Sequence, residues 1–171
     1  MLSIIGAILV IGATATIGLS SWHKMRMRVE ILTALITLLR QMKDEITGRL
    51  TPIPELLELC IESNRGPVRN FLCRVEGQMK ELGISPFRQI WQDAVEASPD
   101  LLLAPEEKQS LIDLGRSLGR YDAHQQEEAF DYTINRLASA LEKARMKKTE
   151  EGRVHAVLGV VSGVFMVLIL L

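Results

Sequence analysis

The fold of this chain is decided by residues 31–46, which read ILTALITLLRQMKDEI. Apolar side chains recur there every three or four positions, the spacing that places them on one face of an α-helix. The residues of this face are Ile31, Leu32, Leu35, Leu38, Leu39, Met42 and Ile46. The pattern predicts an amphipathic helix that buries this face in a helical core and ends at Gly48.

The segment before this helix, residues 1–22, contains no ionisable side chain. As an α-helix it would extend about 33 Å, enough to cross the hydrocarbon core of a bilayer. Lys24, Arg26 and Arg28 follow it, and basic residues mark the cytoplasmic side of a span. We therefore predict an uncleaved transmembrane helix. The alternative is a signal peptide cleaved near Ala15, but a signal peptide carries its positive charge before the apolar stretch.

A second apolar segment, residues 154–171, ends the chain, and His155 is its only ionisable residue. Its helical length of about 27 Å is close to the shortest that spans a bilayer. The basic residues that precede it are Lys143, Arg145, Lys147, Lys148 and Arg153. We predict a second transmembrane helix, with a buried core helix as the alternative. Both flanks then place residues 23–153 in the cytoplasm and both termini outside.

Between residues 50 and 150 the helical spacing continues, and no stretch alternates apolar and polar residues as a strand would. Proline, glycine and capping residues divide this region into shorter helices. The predicted helices are 52–61, 68–82, 86–98, 105–119 and one from 122 onward. The predicted fold class is all-α, with two terminal transmembrane helices enclosing a compact cytoplasmic bundle of about six helices. Because both anchors leave one side of the membrane, we expect the first and last helices of the bundle to be neighbours.

The formal charge is unevenly distributed along the chain. Residues 23–50 and 132–153 each carry a net charge of +3, whereas residues 51–131 carry −7. Basic ends next to the spans suit an anionic cytoplasmic leaflet, so membrane lipid is a predicted partner. The acidic middle argues against nucleic acid as a partner, because phosphate binding requires a basic patch. An acidic helical surface also serves solubility alone, and both interpretations remain open.

Motifs for catalysis are absent from the sequence. It has no glycine-rich phosphate loop, no Gly-x-Ser-x-Gly and no His-Glu-x-x-His. Cys60 and Cys73 have no partners at metal-ligand spacing and are predicted to be reduced core residues. We therefore predict no catalytic residue, no metal and no cofactor. The alternative is a membrane-bound enzyme or small-molecule sensor with a polar pocket near His124 and Glu128, although such a pair is more typical of an exposed helix surface.

The densest motif is LGRSLGRYDAHQQ at residues 114–126. Gly115 and Gly119 lie on one helix face, where each costs about 1 kcal/mol of helix propensity relative to alanine, so close approach of another helix is expected. A sharper interpretation is recognition of an acidic partner at the following turn. The predicted partner-binding residues are Arg116, Arg120, Asp122 and Gln126. Gly159 and Gly163 repeat the four-residue spacing in the C-terminal segment, where it favours close packing of membrane helices.

Together these features resemble the stage III sporulation protein AB family of endospore-forming bacteria. The resemblance covers essentially the whole chain. It rests on the N-terminal anchor with Gly6, the TPIPE turn at 51–55, Trp91 with Ala94, the double Leu-Gly motif ending in Asp and Gln, and the glycine-bearing C-terminal anchor. Cys60 and Cys73 match no family pattern.

The resemblance implies a small helical bundle similar to the cytoplasmic domain of the inner-membrane platform protein of type II secretion and type IV pilus systems. It also implies a non-catalytic assembly role in the channel complex between mother cell and forespore, in the mother-cell membrane. Its partners would be other stage III sporulation proteins, especially the secretion-type ATPase called stage III sporulation protein AA. Homo-oligomers are compatible with this role. A two-helix pore is the least favoured alternative, because nothing ionisable lies within the apolar cores.

Overall fold

The protein is described by a computed structural model that covers the backbone of residues 2–82, 86–118 and 123–170, and the side chains of 23–80, 86–118 and 124–147. This part of the chain contains six α-helices and no strand, which confirms the predicted all-α class. The helices are α1 (Leu2–Lys43), α2 (Ile53–Ser63), α3 (Gly66–Leu82), α4 (Phe87–Glu96), α5 (Pro105–Ser117) and α6 (Ala123–Leu170).

The chain divides into two units. Glu30–Leu141 form one compact unit, and the outer parts of α1 and α6, Met1–Val29 and Glu142–Leu171, form the other. The predicted spans at 1–22 and 154–171 lie outside the residues whose side chains are described. Among the described residues, no helix combines the length and the apolar character that a bilayer crossing requires. The two spans and the domain boundaries at 23 and 153 stay predictions.

Helix α1 buries the face that its sequence predicts. Six of its seven apolar residues are almost completely buried: Ile31, Leu32, Leu35, Leu38, Leu39 and Met42. The α-helix ends at Lys43, and a single π-helical turn, Asp44–Gly48, completes the segment. In that turn the hydroxyl of Thr47 donates to the carbonyl of Lys43 over 2.8 Å. Gly48 is thus confirmed as the last helical residue, although the final turn is wider than an α-helical one.

The centre of the compact unit is Trp91 on α4, whose side chain is fully buried. Its indole packs edge-on against Phe71 of α3, with ring centroids 5.0 Å apart and an interplanar angle of 83°. This T-shaped geometry is favourable because the positive edge of one ring meets the negative face of the other. The indole N–H donates to the backbone carbonyl of Leu111 on α5 over 2.7 Å. One side chain therefore connects three helices and leaves no buried donor unpaired.

Gly115 lies directly under the indole of Trp91. A Cβ added to Gly115 would lie 2.6 Å from Cγ and 3.0 Å from Cβ of Trp91. These atoms belong to the root of a buried side chain, which cannot move aside as a flexible chain end does. The crossing of α4 and α5 at this point requires a residue without a side chain. The packing of the indole there offsets the lower helix propensity of glycine relative to alanine.

Side-chain hydrogen bonds define the ends of the central helices. The hydroxyl of Ser98, just after α4, donates to the Ala94 carbonyl over 2.7 Å and accepts from Arg74 of α3 over 2.8 Å. At the start of α5, the Glu107 carboxylate accepts from the backbone N–H of Ala104 over 2.8 Å. This bond satisfies a donor that a helix start would otherwise leave unpaired, and Glu107 thus caps α5.

Replacing Gly115 by alanine is expected to lower the free energy of unfolding by about 1–3 kcal/mol, the usual cost of overpacking a core. The matched control is Gly77→Ala in α3, where an added Cβ meets nothing within 4 Å. That change should raise stability by about 0.5–1 kcal/mol through helix propensity. Thermal and urea unfolding of the purified chain measure both; a G115A protein as stable as G77A would show that the crossing tolerates a side chain.

Burial of the Cys60 thiol, with a smaller contribution from the negative charge of Glu45, raises its pKa from 9.0 to about 11. At neutral pH this lowers the reactive thiolate fraction about 100-fold. Cys73 is only half-buried. A thiol reagent at pH 8 should therefore label Cys73 quickly and Cys60 only after unfolding, with a Cys73→Ser protein used to assign the slow phase. Equal labelling rates for the two cysteines in the folded protein would contradict this prediction.

Candidate partner-binding surface

The end of α1 and the first part of α6 are joined by a charge cluster around Lys43. Its ammonium donates to both carboxylate oxygens of Asp131 over 2.8 Å and lies 3.1 Å from the Glu127 carboxylate. The hydrogen bond to Asp131 is the main cause that raises the pKa of Lys43, against an opposing effect of burial. Glu127 and Asp131 are four residues apart and so lie on one face of α6. The contact confirms that the first and last helices of the bundle are neighbours.

Helix α5 packs beside α6 through a buried hydroxyl and an exposed ion pair. Thr133 is buried; its hydroxyl donates to the Ala129 carbonyl over 2.9 Å and lies 3.4 Å from the carbonyl of Ser110 on α5. One turn further along α6, Arg136 pairs with Glu106 over 3.1 Å. Helix α5 therefore contacts α4 through Gly115 and α6 through Ser110 and Glu106. These contacts fix the position of its C-terminal end.

Arg116 lies on the exposed side of this C-terminal end. Its guanidinium pairs with the Asp113 carboxylate, one helical turn earlier, over 2.8 Å. Exposed pairs of this kind contribute roughly 0.2–1 kcal/mol, because water competes for both charges. The guanidinium can therefore exchange this carboxylate for one on another protein at little cost. The next predicted residues of the surface, Gly119, Arg120 and Asp122, lie outside the described residues.

Gln126 has a different position from the one that its place in the motif suggests. It is 7% exposed and belongs to the buried face of α6, together with Phe130 and Leu137. These residues are spaced by four and seven positions, as the core stripe of a helix requires. Its side chain is not offered to a partner in this structure, so any contribution to binding would come through the placement of the α6 N-terminus.

His124 and Glu128 form a surface pair on α6. The imidazole Nδ1 lies 3.5 Å from a carboxylate oxygen of Glu128, and the two side chains are 80% and 70% exposed. A site for catalysis or for a small molecule needs a concave, largely buried setting, which this pair does not provide. Among the described side chains, no three His, Cys, Asp or Glu residues are grouped to hold a metal ion. The helix-packing candidates Gly159 and Gly163 lie outside the described side chains.

The contact of Lys43 with Glu127 and Asp131 was not predicted from the sequence. A partial signal was present, because Lys43 directly follows Met42 of the apolar face, while Glu127 and Asp131 share one face of a later helix. Predicting this ion pair requires knowing that the end of α1 lies beside residues 127–131 of α6. Periodicity along one helix carries no such information.

Three comparisons with known proteins bear on this fold. The sequence profile of the family described as stage III sporulation protein AB matches residues 3–171. A solved structure of stage III sporulation protein AB superposes with a TM-score of 0.66, covering 72% of this chain and 98% of that chain at 18% sequence identity. At that identity the likeness shows a shared fold. No curated protein sequence matches this chain significantly.

Proposed function

The chain belongs to the stage III sporulation protein AB family, and we propose that it is a membrane-anchored assembly component without catalysis of its own. In this role it belongs to the secretion-like channel complex that joins mother cell and forespore. The single observation that carries the proposal is the family match, which extends over both apolar ends as well as the helical unit between them. Other stage III sporulation proteins are accordingly its proposed partners.

The membrane anchoring is supported by where the apolar segments lie in the helices. Residues 2–22 belong to α1 and residues 154–170 to α6, so each apolar segment lies in a helix that also supplies residues of the compact unit. Lys24, Arg26, Lys143 and Arg145 are exposed next to these segments. Basic side chains at this place favour a cytoplasmic position of the helical unit and contact with anionic lipid headgroups.

The proposed task of the helical unit is to dock the secretion-type ATPase of the complex, stage III sporulation protein AA. The docking surface is the turn from α5 to α6, with Arg116, Arg120 and Asp122 as contacts and Gln126 as a residue that orders the start of α6. Two facts support this choice: the guanidinium of Arg116 is exposed in a weak pair, and its helix is fixed by the crossing at Gly115. Rigid placement of a charged side chain lowers the entropic cost of binding.

Charge reversal at this turn tests the docking surface. The double change Arg116→Glu and Arg120→Glu should weaken binding of the detergent-solubilised chain to the ATPase at least tenfold, because two attractive contacts become repulsive. The matched control is Arg69→Glu, an exposed arginine on α3. Co-purification and titration measure the effect. Undiminished binding by the double variant would reject this surface, while absence of binding by the native chain would reject the docking role itself.

The proposed topology has a separate test. Single cysteines placed at residue 2 and at residue 171, in a chain whose own two cysteines are replaced by serine, should react with a membrane-impermeant thiol reagent from outside intact cells. A cysteine at the exposed position Ser139 on α6 should react only after the membrane is opened, since the basic flanks keep this region in the cytoplasm. Protection of either terminus in intact cells would contradict the topology.

A further inference from the structure

The outer parts of α1 and α6 each carry an exposed methionine between two basic residues. In α1 the sequence is Arg26-Met27-Arg28, and in α6 it is Arg145-Met146-Lys147. The two methionines are 39% and 53% exposed, respectively. Both patterns belong to the same unit, which we call the outer unit. An exposed apolar side chain flanked by cations is typical of a helix at a membrane surface, where the apolar group and the charges each find a partner.

The sign of the formal charge changes at the boundary between the two units. The outer unit has 8 basic and 3 acidic side chains, a net charge of +5, whereas Glu30–Leu141 have 12 basic and 18 acidic side chains, a net charge of −6. An anionic surface therefore attracts the outer unit and repels Glu30–Leu141. The three acidic residues of the outer unit all lie in its α6 part, so the attraction is expected to be stronger at Met27 than at Met146.

The distance from each methionine to the neighbouring apolar segment is comparable to the thickness of a lipid headgroup layer. Met27 follows residues 1–22 by five positions, about 8 Å of helix, and Met146 precedes residues 154–171 by eight positions, about 12 Å. The headgroup layer extends roughly 5–8 Å beyond the hydrocarbon core on each side. Methionine has a long unbranched side chain, and the stems of lysine and arginine are longer still, so both can bridge the remaining distance.

We propose that the two patterns together form a lipid-binding site, the basic–methionine pair, which selects anionic phospholipid. Its methionines pack between the lipid headgroups, and its arginine and lysine side chains contact the phosphates. The inference rests on the proposed membrane anchoring, and it adds which side chains meet the lipid and which lipid they prefer. A second copy of this chain is a poorer occupant of the same site, because two positively charged surfaces would meet.

Polarity-sensitive fluorescence tests this site in the full chain. Cys60 and Cys73 are replaced by serine, a single cysteine is introduced by Met27→Cys or Met146→Cys, and each protein is labelled and reconstituted into vesicles. Emission should rise about twofold when phosphatidylglycerol replaces about half of the phosphatidylcholine, because the anionic surface draws the cations and the label toward it. The rise should be larger at residue 27 than at residue 146.

Charge-neutral variants separate lipid selection from simple insertion. Arg26→Gln with Arg28→Gln should abolish the rise of the label at residue 27. The matched control is Arg65→Gln with Arg69→Gln, which neutralises two exposed arginines of the other unit and should leave the rise unchanged. A label introduced by Ser63→Cys, at an exposed position of α2, should not respond to lipid charge.

The outcomes distinguish this site from the anchoring on which it rests. If the labelled chains do not float with the vesicles, the anchoring and this site fail together. If they float but the labels at residues 27 and 146 emit like the label at residue 63 in both lipids, this inference is wrong while the anchoring stands. If inorganic phosphate added to phosphatidylcholine vesicles produces the same rise, the site binds a free anion and lipid selection is overturned. A rise that follows the ratio of protein to lipid, independent of lipid charge, would identify a second copy as the occupant and would also overturn the proposal.

Discussion

The fit of the Trp91 indole against the bare backbone of Gly115 is the contact on which the rest of the compact unit depends. It brings α4 and α5 closer than a side chain at position 115 would allow. The same indole packs on Phe71 and donates to the backbone carbonyl of Leu111. Helix bundles are usually held by many interchangeable apolar contacts. Here one large side chain connects three helices. Its loss would leave a cavity and would also remove the hydrogen bond to the Leu111 carbonyl.

Around this centre, three polar contacts of the unit lie at the ends of helical segments. Lys43 joins the end of α1 to α6, Arg74 reaches the turn after α4, and Glu45 holds the loop before α2. Each of these bonds lies at a segment end, where backbone groups lack helical partners. These bonds tie the described loops next to α2 and α4 to neighbouring helices.

Much of the fold followed from local patterns. The stripe of residues 31–46, the proline and glycine boundaries and the two glycines of the 114–126 motif predicted six helices and a close crossing, because burial of one face and the cost of glycine act within a single helix. Contacts between helices could not be predicted from these local patterns. Gln126 was predicted to bind a partner from its place in a polar motif, but it belongs to a buried face. Lys43 lies at a helix end, where lysine is usually solvated, but it pairs with Asp131 of α6.

The sequence by itself therefore determined the all-α class, the helix boundaries, the uneven charge and the family. Only the tertiary structure decided which helix meets Gly115 and which carboxylates meet Lys43. The physical reason is that periodicity and propensity describe a residue against its neighbours along one helix. The partner across a helix interface, and the conformation of a loop held from two sides, depend on where distant segments come together.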